Sequence, residues 1–280
     1  MEKSTKKYFA VFVLPTLVAF LIAFLIPFLM GLYLSFTEFT TVIDAKFTGV
    51  SNYVKAFANR DFINALIFTV SFTIVSIITI NVLAFALALV LTRKIRGRNL
   101  FRTVFFMPNL IGGIVLGYIW QLIINGLLMQ FGVTITFKAT YGFWGLVVLL
   151  NWQMIGYMMV IYIAGIQNIP RDLFEAATID GAGPMQTLKN VILPLVAPAV
   201  TICLFLTLSN SFKMFDQNLA LTAGAPGKQT QMLALDIYNT FYGTAGYEGV
   251  GQAKAVIFSV ILAAIGIVQI YFTRKREIEQ

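Results

Sequence analysis

Histidine is absent from all 280 residues and cysteine occurs once, as Cys203. Imidazole-based metal sites, histidine-dependent nucleophilic triads, an internal disulfide and a thiolate cluster are therefore excluded. Charge is scarce too: Asp, Glu, Lys and Arg make up 11% of the chain, against about a quarter in a soluble domain. No Gly-x-x-x-x-Gly-Lys-Ser/Thr loop is present, because Gly227-Lys228 has neither the glycine spacing nor the following hydroxyl. The chain is not expected to hydrolyse ATP alone. No carboxylate pair, nucleophile with a base, or metal cluster falls at one depth of the apolar stretches, which argues against a membrane enzyme. What is abundant is hydrocarbon: 59% of residues are hydrophobic and the mean hydropathy is +0.83.

A helix needs about 20 mostly apolar residues to cross roughly 30 Å of hydrocarbon. Six stretches run without a charge: Tyr8 to Thr37, Phe62 to Thr92, Thr103 to Phe137, Ala139 to Pro170, Asn190 to Phe212 and Ala255 to Thr273. Turn-forming pairs at Asn125-Gly126 and Tyr141-Gly142 shorten the third and fourth. Helices are thus expected at about 8–37, 62–92, 102–124, 143–165, 190–213 and 252–273, in one transmembrane domain over 1–280. The first apolar run is about twice as long as the core of a cleaved export signal and is expected to remain as helix 1. Pro15 and Pro27 in helix 1, and Pro194 and Pro198 in helix 5, remove backbone hydrogen bonds and favour kinks. Ionisable groups at mid-membrane usually mark proton or ion pathways, and the expected spans hold only amides, hydroxyls and aromatics.

Six spans put both termini on one side. Lys3, Lys6 and Lys7 precede helix 1; Arg93, Lys94, Arg96, Arg98 and Arg102 separate helices 2 and 3; Arg171 and Lys189 separate 4 and 5; Arg274, Lys275 and Arg276 follow helix 6. Thirteen of the 20 cations lie on that side, so the positive-inside bias predicts cytoplasmic termini. The reading is an all-α, multi-pass protein of a bacterial-type plasma membrane, surrounded by lipid; the basic balance, net +8, then reflects span flanks and not nucleic-acid binding.

The inner stretch 168–190 is the most informative. Pro170 suits the first turn of a helix, and Asp172 and Glu175 place acids near its positive end. Asp180-Gly181-Ala182-Gly183 breaks it, and Pro184 opens a second short helix leading into span 5. Two short helices joined by a glycine turn make a knob able to fill a pocket on another protein.

Glu175-Ala176-Ala177, Gly181, Val191 and Leu193-Pro194 match the spacing of the cytoplasmic signature of ABC importer permeases, with Val191 where Ile is usual. The chain resembles that family, and within it the first permease subunit of carbohydrate (maltose-type) importers. Supporting stretches are Phe47-Thr48-Gly49-Val50-Ser51-Asn52-Tyr53, Phe101-Arg102-Thr103-Val104-Phe105-Phe106-Met107-Pro108 and Asn210-Ser211-Phe212-Lys213-Met214-Phe215-Asp216. Leu221-Thr222-Ala223-Gly224-Ala225-Pro226 matches an outer Leu-Thr-x-Gly-Gly-Pro pattern with Ala225 in place of glycine. The resemblance implies a type I ABC importer permease fold. It also implies a second permease subunit, two ATP-binding subunits that use ATP and Mg, an extracytoplasmic solute-binding protein, and no cofactor bound by this chain itself. It further implies that Glu175, Ala176, Ala177, Asp180, Gly181 and Pro184 couple to the ATPase, with Asp180 as a local cap or salt bridge.

A sugar presents hydroxyls and a weakly apolar ring face, so its pathway should combine amides, hydroxyls and aromatics without strong net charge. On helix 5, Thr207, Asn210, Ser211 and Met214 share a face; on helix 4, Asn151, Met154 and Tyr157 or Met158 do likewise. Tyr157 is also the residue that best matches the pathway-lining stretch of maltose-type first subunits. The same polar side chains also suit plain helix-to-helix packing. Lys213 and Asp216 fit either a gate pair or a solvated surface pair. Between Gln229 and Tyr242 the outer loop is read as a short helix presenting Leu233, Ile237 and Phe241. Rival solutes are glycerol-phosphate-type compounds and polyols, and a rival class is a stand-alone channel or secondary carrier.

Overall fold

The computed structural model describes residues 11, 13–93 and 95–277, the side chains of 270 and 272–277 excepted. Lys3, Lys6, Lys7, Lys94 and the side chains of Arg274, Lys275 and Arg276 lie outside the described residues. Among the described residues, five helices are long and apolar enough to cross a membrane, and a bent helix pair makes a sixth when it is counted as one span. In order they are α1 (Val13–Leu34), α3 (Arg60–Leu91), α5 (Gly113–Leu128), α6 (Ala139–Gln167), the pair α8 (Pro184–Leu195) and α9 (Ala197–Phe212), and α12 (Glu248–Glu277). Shorter helices fill the connections: α2 (Ser51–Ala58), α4 (Arg98–Phe106), α7 (Arg171–Ile179), α10 (Asp216–Leu221) and α11 (Leu233–Gly243).

The chain divides into two compact units, 1–62 with 237–260, and 63–236 with 261–280. In the first, α1 keeps its apolar side chains exposed, as a lipid-facing rod does, and a π-helical turn, Leu21–Leu25, stands just before Pro27. A two-stranded hairpin follows, β1 (Thr37–Glu38) against β2 (Lys46–Phe47). Its turn is closed by Asp44 Oδ1, which accepts the N–H groups of Thr40 (3.0 Å) and Thr41 (2.9 Å). Those bonds hold the Asp44 carboxyl below its ordinary pKa. Asn52 of α2 donates to the carbonyls of Ser35 (3.0 Å) and Thr37 (2.8 Å), fixing α2 beside the hairpin.

The expectation of spans without ionisable groups is corrected in this unit. α12 begins at Glu248, ahead of the uncharged stretch that opens at Ala255, and takes in Lys254, which is 0% exposed. Its ammonium donates to Thr240 Oγ1 (2.8 Å) and lies 5.1 Å from the ring centre of Phe62, so hydrogen bonding and cation–π attraction offset its desolvation.

In the second unit α6 is the most deeply buried span, lined by Leu146, Leu149, Leu150, Met158 and Met159 among others. Neighbours approach closely where α6 has glycine. A Cβ on Gly142 would come within 2.7 Å of Thr230, and one on Gly156 would run into the backbone carbonyl of Phe105 in α4.

Several expected boundaries differ. Asn125-Gly126 lies inside α5, because the Asn125 side chain accepts the N–H of Ile135 (2.8 Å) and serves the returning loop while its backbone stays helical. Tyr141-Gly142 lies inside α6, where glycine is used for close packing and not for a turn. The helix expected over 102–124 is two pieces, α4 and α5, separated by a 3₁₀ turn, Met107–Leu110, that contains Pro108. The helix expected over 190–213 bends by 70° between α8 and α9, at Val196 between Pro194 and Pro198.

Candidate functional site

The knob expected over 168–190 consists of α7, a glycine turn and α8. Pro170 stands as the N-cap of α7, and Asp172 is in its first turn. The helix ends in a Schellman motif. Gly181 has φ +71°, its N–H donates to Thr178 O (3.1 Å), and the N–H of Ala182 donates to Ala177 O (2.9 Å). Glycine is required there because an L side chain is strained at that φ. This accounts for a glycine six residues after Glu175 at backbone level. Asp180 is the C-cap residue, its N–H donates to Ala176 O (2.9 Å), and its side chain is exposed. The second helix starts with Pro184 at N1, and Gln186 Oε1 accepts the N–H of Gly183 (2.8 Å).

No residue of α7 is buried. Glu175 and Ala176 are exposed, Ala177 is half-buried, and Ile179 at the tip is 86% exposed. Phe174, Val191 and Ile192 tie the knob to the core of its unit. An apolar tip beside an exposed carboxylate is a surface suited to a protein partner.

The second site is a pocket of about 270 Å³, near the lower end of the range for small-ligand cavities. It lies at the middle of α6, where Leu150, Gln153 and Met154 face it. Asn210, Lys213 and Met214 come from the end of α9, Phe215, Asp216 and Gln217 from α10 and its entry, and Asn109 from the 3₁₀ turn. Gln217 Nε2 donates to Gln153 Oε1 (2.9 Å), and Gln153 Nε2 donates to Ile111 O (3.4 Å), so one buried amide links α10, α6 and the break before α5. α10 lies tightly along α5 because glycine makes room: a Cβ on Gly113 would fall 2.7 Å from that of Asp216, and one on Gly117 2.5 Å from that of Ala220.

Three of the seven expected pathway residues, Met154, Asn210 and Met214, line this pocket. The other four face elsewhere. Asn151 donates to Thr79 Oγ1 (2.9 Å) and Val147 O (2.8 Å), joining α6 to α3. Tyr157 is half-buried, edge-on to Phe106 at 6.2 Å. Thr207 is buried and accepts from Asn81 Nδ2 (3.2 Å), while Asn81 Oδ1 accepts from Tyr162 OH (2.8 Å). Ser211 is buried, with its Oγ unbonded in the described structure. A helix face wide enough to hold all seven also meets neighbouring helices, and Asn151 and Thr207 bond across to α3. Asn109, Gln153 and Gln217 escaped the sequence reading because they come from three separate segments. Lys213 and Asp216 are exposed and both line the pocket. In the outer loop the short helix is present as α11, but Leu233 is fully buried, so it is not part of a presented surface.

Residues 93–278 match the model of the family described as binding-protein-dependent transport system inner membrane component. Among relatives, a probable starch degradation products transport system permease protein of Thermoanaerobacterium thermosulfurigenes is 48% identical over 281 residues, covering 97% of this chain and 96% of that protein. A trehalose/maltose transport system permease protein of Thermococcus litoralis is 30% identical, covering 94% and 92%. The crystal structure of a bacterial ABC transporter that imports the acidic polysaccharide alginate contains a chain of the same fold, with a TM-score of 0.84 at 21% identity and 98% of each chain covered. A multi-pass helical chain with an exposed helical knob and a polar pocket, matched along about two thirds of its length to one family, thus belongs to the inner membrane components of binding-protein-dependent transport systems, as a permease of an ATP-driven importer.

Proposed function

We propose that this chain forms half of the transmembrane path for a neutral sugar or oligosaccharide. The observation that carries the reading is mechanical: the knob made by α7 and α8 continues through one bend into α9, whose far end lines the pocket. Six of the ten lining residues carry amides or charges, and Lys213 is balanced by Asp216. Such a lining offers donors and acceptors for hydroxyls without net charge for a phosphate. The names of the starch-product and trehalose/maltose relatives support the same solute class.

In this reading the termini are cytoplasmic and the knob faces two ATP-binding subunits, which hold the ATP and Mg; the chain itself binds no cofactor and has no ATPase site. A second permease completes the path, and the external binding protein delivers the solute. Glu175 supplies a charged contact, Gly181 the turn that seats both short helices, and Ala176, Ala177, Asp180 and Pro184 the shape between them. ATP can bias the inward and outward states only if the ATPase grips the knob differently in each.

The test is uptake of labelled maltooligosaccharides into proteoliposomes holding the assembled importer. The wild type should transport only with ATP and binding protein, and this chain alone should give no flux. Glu175→Lys and Gly181→Leu should insert normally yet lose ATP-driven uptake. Normal uptake by both variants, or flux through the chain alone, overturns the proposal.

A further inference from the structure

The elbow between α3 and α4 carries a feature that solute transport does not use. Arg93, Arg96 and Arg98 are all exposed within six residues, around Gly97 at φ +79°. The sequence has no Asp or Glu from 62 to 171, so none of the three arginines has an acidic neighbour along the chain. Arg102, one turn into α4, folds back and donates from Nη2 to Leu91 O (2.9 Å). That bond satisfies a carbonyl at the end of α3 and fixes the elbow against it.

The helix that follows is amphipathic in an unusual sense. Arg98, Arg102, Asn99 and Thr103 fall on one side of α4, while Leu100, Phe101 and Val104 form a stripe on the other that stays exposed. An exposed apolar stripe is unfavourable in water and favourable in lipid.

Depth agrees with this. α3 has 32 residues and is about 48 Å long, well beyond the ~30 Å hydrocarbon layer. Its charged ends, Arg60-Asp61 and Arg93, therefore reach the headgroup zones, and the elbow sits at one of them.

We propose that this elbow is a binding site for anionic phospholipid, with Leu100, Phe101 and Val104 seated among acyl chains and Arg93, Arg96 and Arg98 holding the phosphate-bearing headgroups. Charge complementarity and continuity with the lipid-facing span select lipid as the occupant. Arg102 is a positioning residue that keeps the elbow folded. The site does not depend on which solute is carried, and in the orientation proposed above it samples the inner leaflet.

The intact chain, purified in mild detergent with the subunits that accompany it, is exposed to equal amounts of phosphatidylglycerol and phosphatidylcholine, and retained lipid is read by native mass spectrometry. The wild type should favour phosphatidylglycerol. Removing arginines as Arg93→Gln, Arg96→Gln and Arg98→Gln should lower that preference by on the order of fivefold per residue. Raising salt to about 1 M should erase it. Phe101→Ser should reduce retention of both lipids, and inorganic phosphate should not displace the bound lipid. Equal phosphatidylglycerol preference in the wild type and the triple variant overturns the proposal. So does a triple variant that sheds its accompanying subunits while keeping the lipid preference, which would assign the arginines to a protein partner.

Discussion

The knob and the pocket are built on opposite rules. In the knob, the Schellman closure at Gly181, the Gln186 cap and Pro184 all act within a few residues, and no residue of α7 is fully buried. In the pocket, Gln153, Gln217 and Asn109 are drawn from three segments, and a side-chain bond from Gln217 to Gln153 joins two of them across helices. A surface gripped by another protein has to be preformed and open, whereas a pathway has to be closed by the chain itself. The same amino acid therefore has different duties in the two places: Gly156 admits a neighbour's backbone, while Gly181 has nothing within 4 Å and supplies a backbone angle.

The largest expected effect lies on the packed side. Gly156→Ala forces α6 away from Phe105 and should destabilise the chain by about 3 kcal/mol, read as a lower melting temperature in detergent. An unchanged melting temperature would show that the α4 backbone yields freely, and the contrast would fail. Next comes Gln153→Leu, which strands the Gln217 amide and the carbonyl of Ile111. A loss of about 2 kcal/mol is expected, together with weaker sugar uptake, and wild-type values in both would remove the amide from the pocket's architecture. On the open side, Gly181→Ala meets no steric neighbour and should lose only about 1 kcal/mol from the positive φ. If it destabilises more than Gly156→Ala, the two regions have been assigned the wrong way round.

The smallest effect concerns the hairpin turn at Asp44, another exposed turn closed by local bonds. Its carboxyl pKa is depressed in the folded state, so its contribution is present above the ordinary value of 3.8 and is lost as pH falls through the lower folded value. Amide exchange at Thr40 and Thr41 should therefore be protected at neutral pH and lose that protection only in strong acid. Asp44→Asn should flatten that dependence.

The same contrast explains what could be read from residue order. Pro170, Gly181 and Pro184 announce their local structure by spacing alone, because caps and glycine turns are short-range devices. Apolar length announced the spans, but Asn125-Gly126 and Tyr141-Gly142 misled about their ends, since a turn-forming pair remains helical when tertiary contacts use its side chain or its missing one. Lys254 shows a related limit: the uncharged stretch opens only at Ala255, yet the span reaches back over this cation because Thr240 and, far away in sequence, Phe62 receive it. Asn151 and Thr207 have the right chemistry for a solute, and only the helices opposite them reveal that they serve as inter-helix ties.

The 70° bend at Val196 makes α8 the short arm of a crank and α9 its long arm. A straight rod pushed from below would slide along its own axis and leave its upper residues facing the same way. A bent one, with its corner held by buried Val196, converts a sideways shove on the short arm into rotation of the long arm about its length. Asn210 and Met214 would then be swung toward or away from the solute instead of lifted past it, and a small displacement at the foot would suffice to change which side chains the cargo meets.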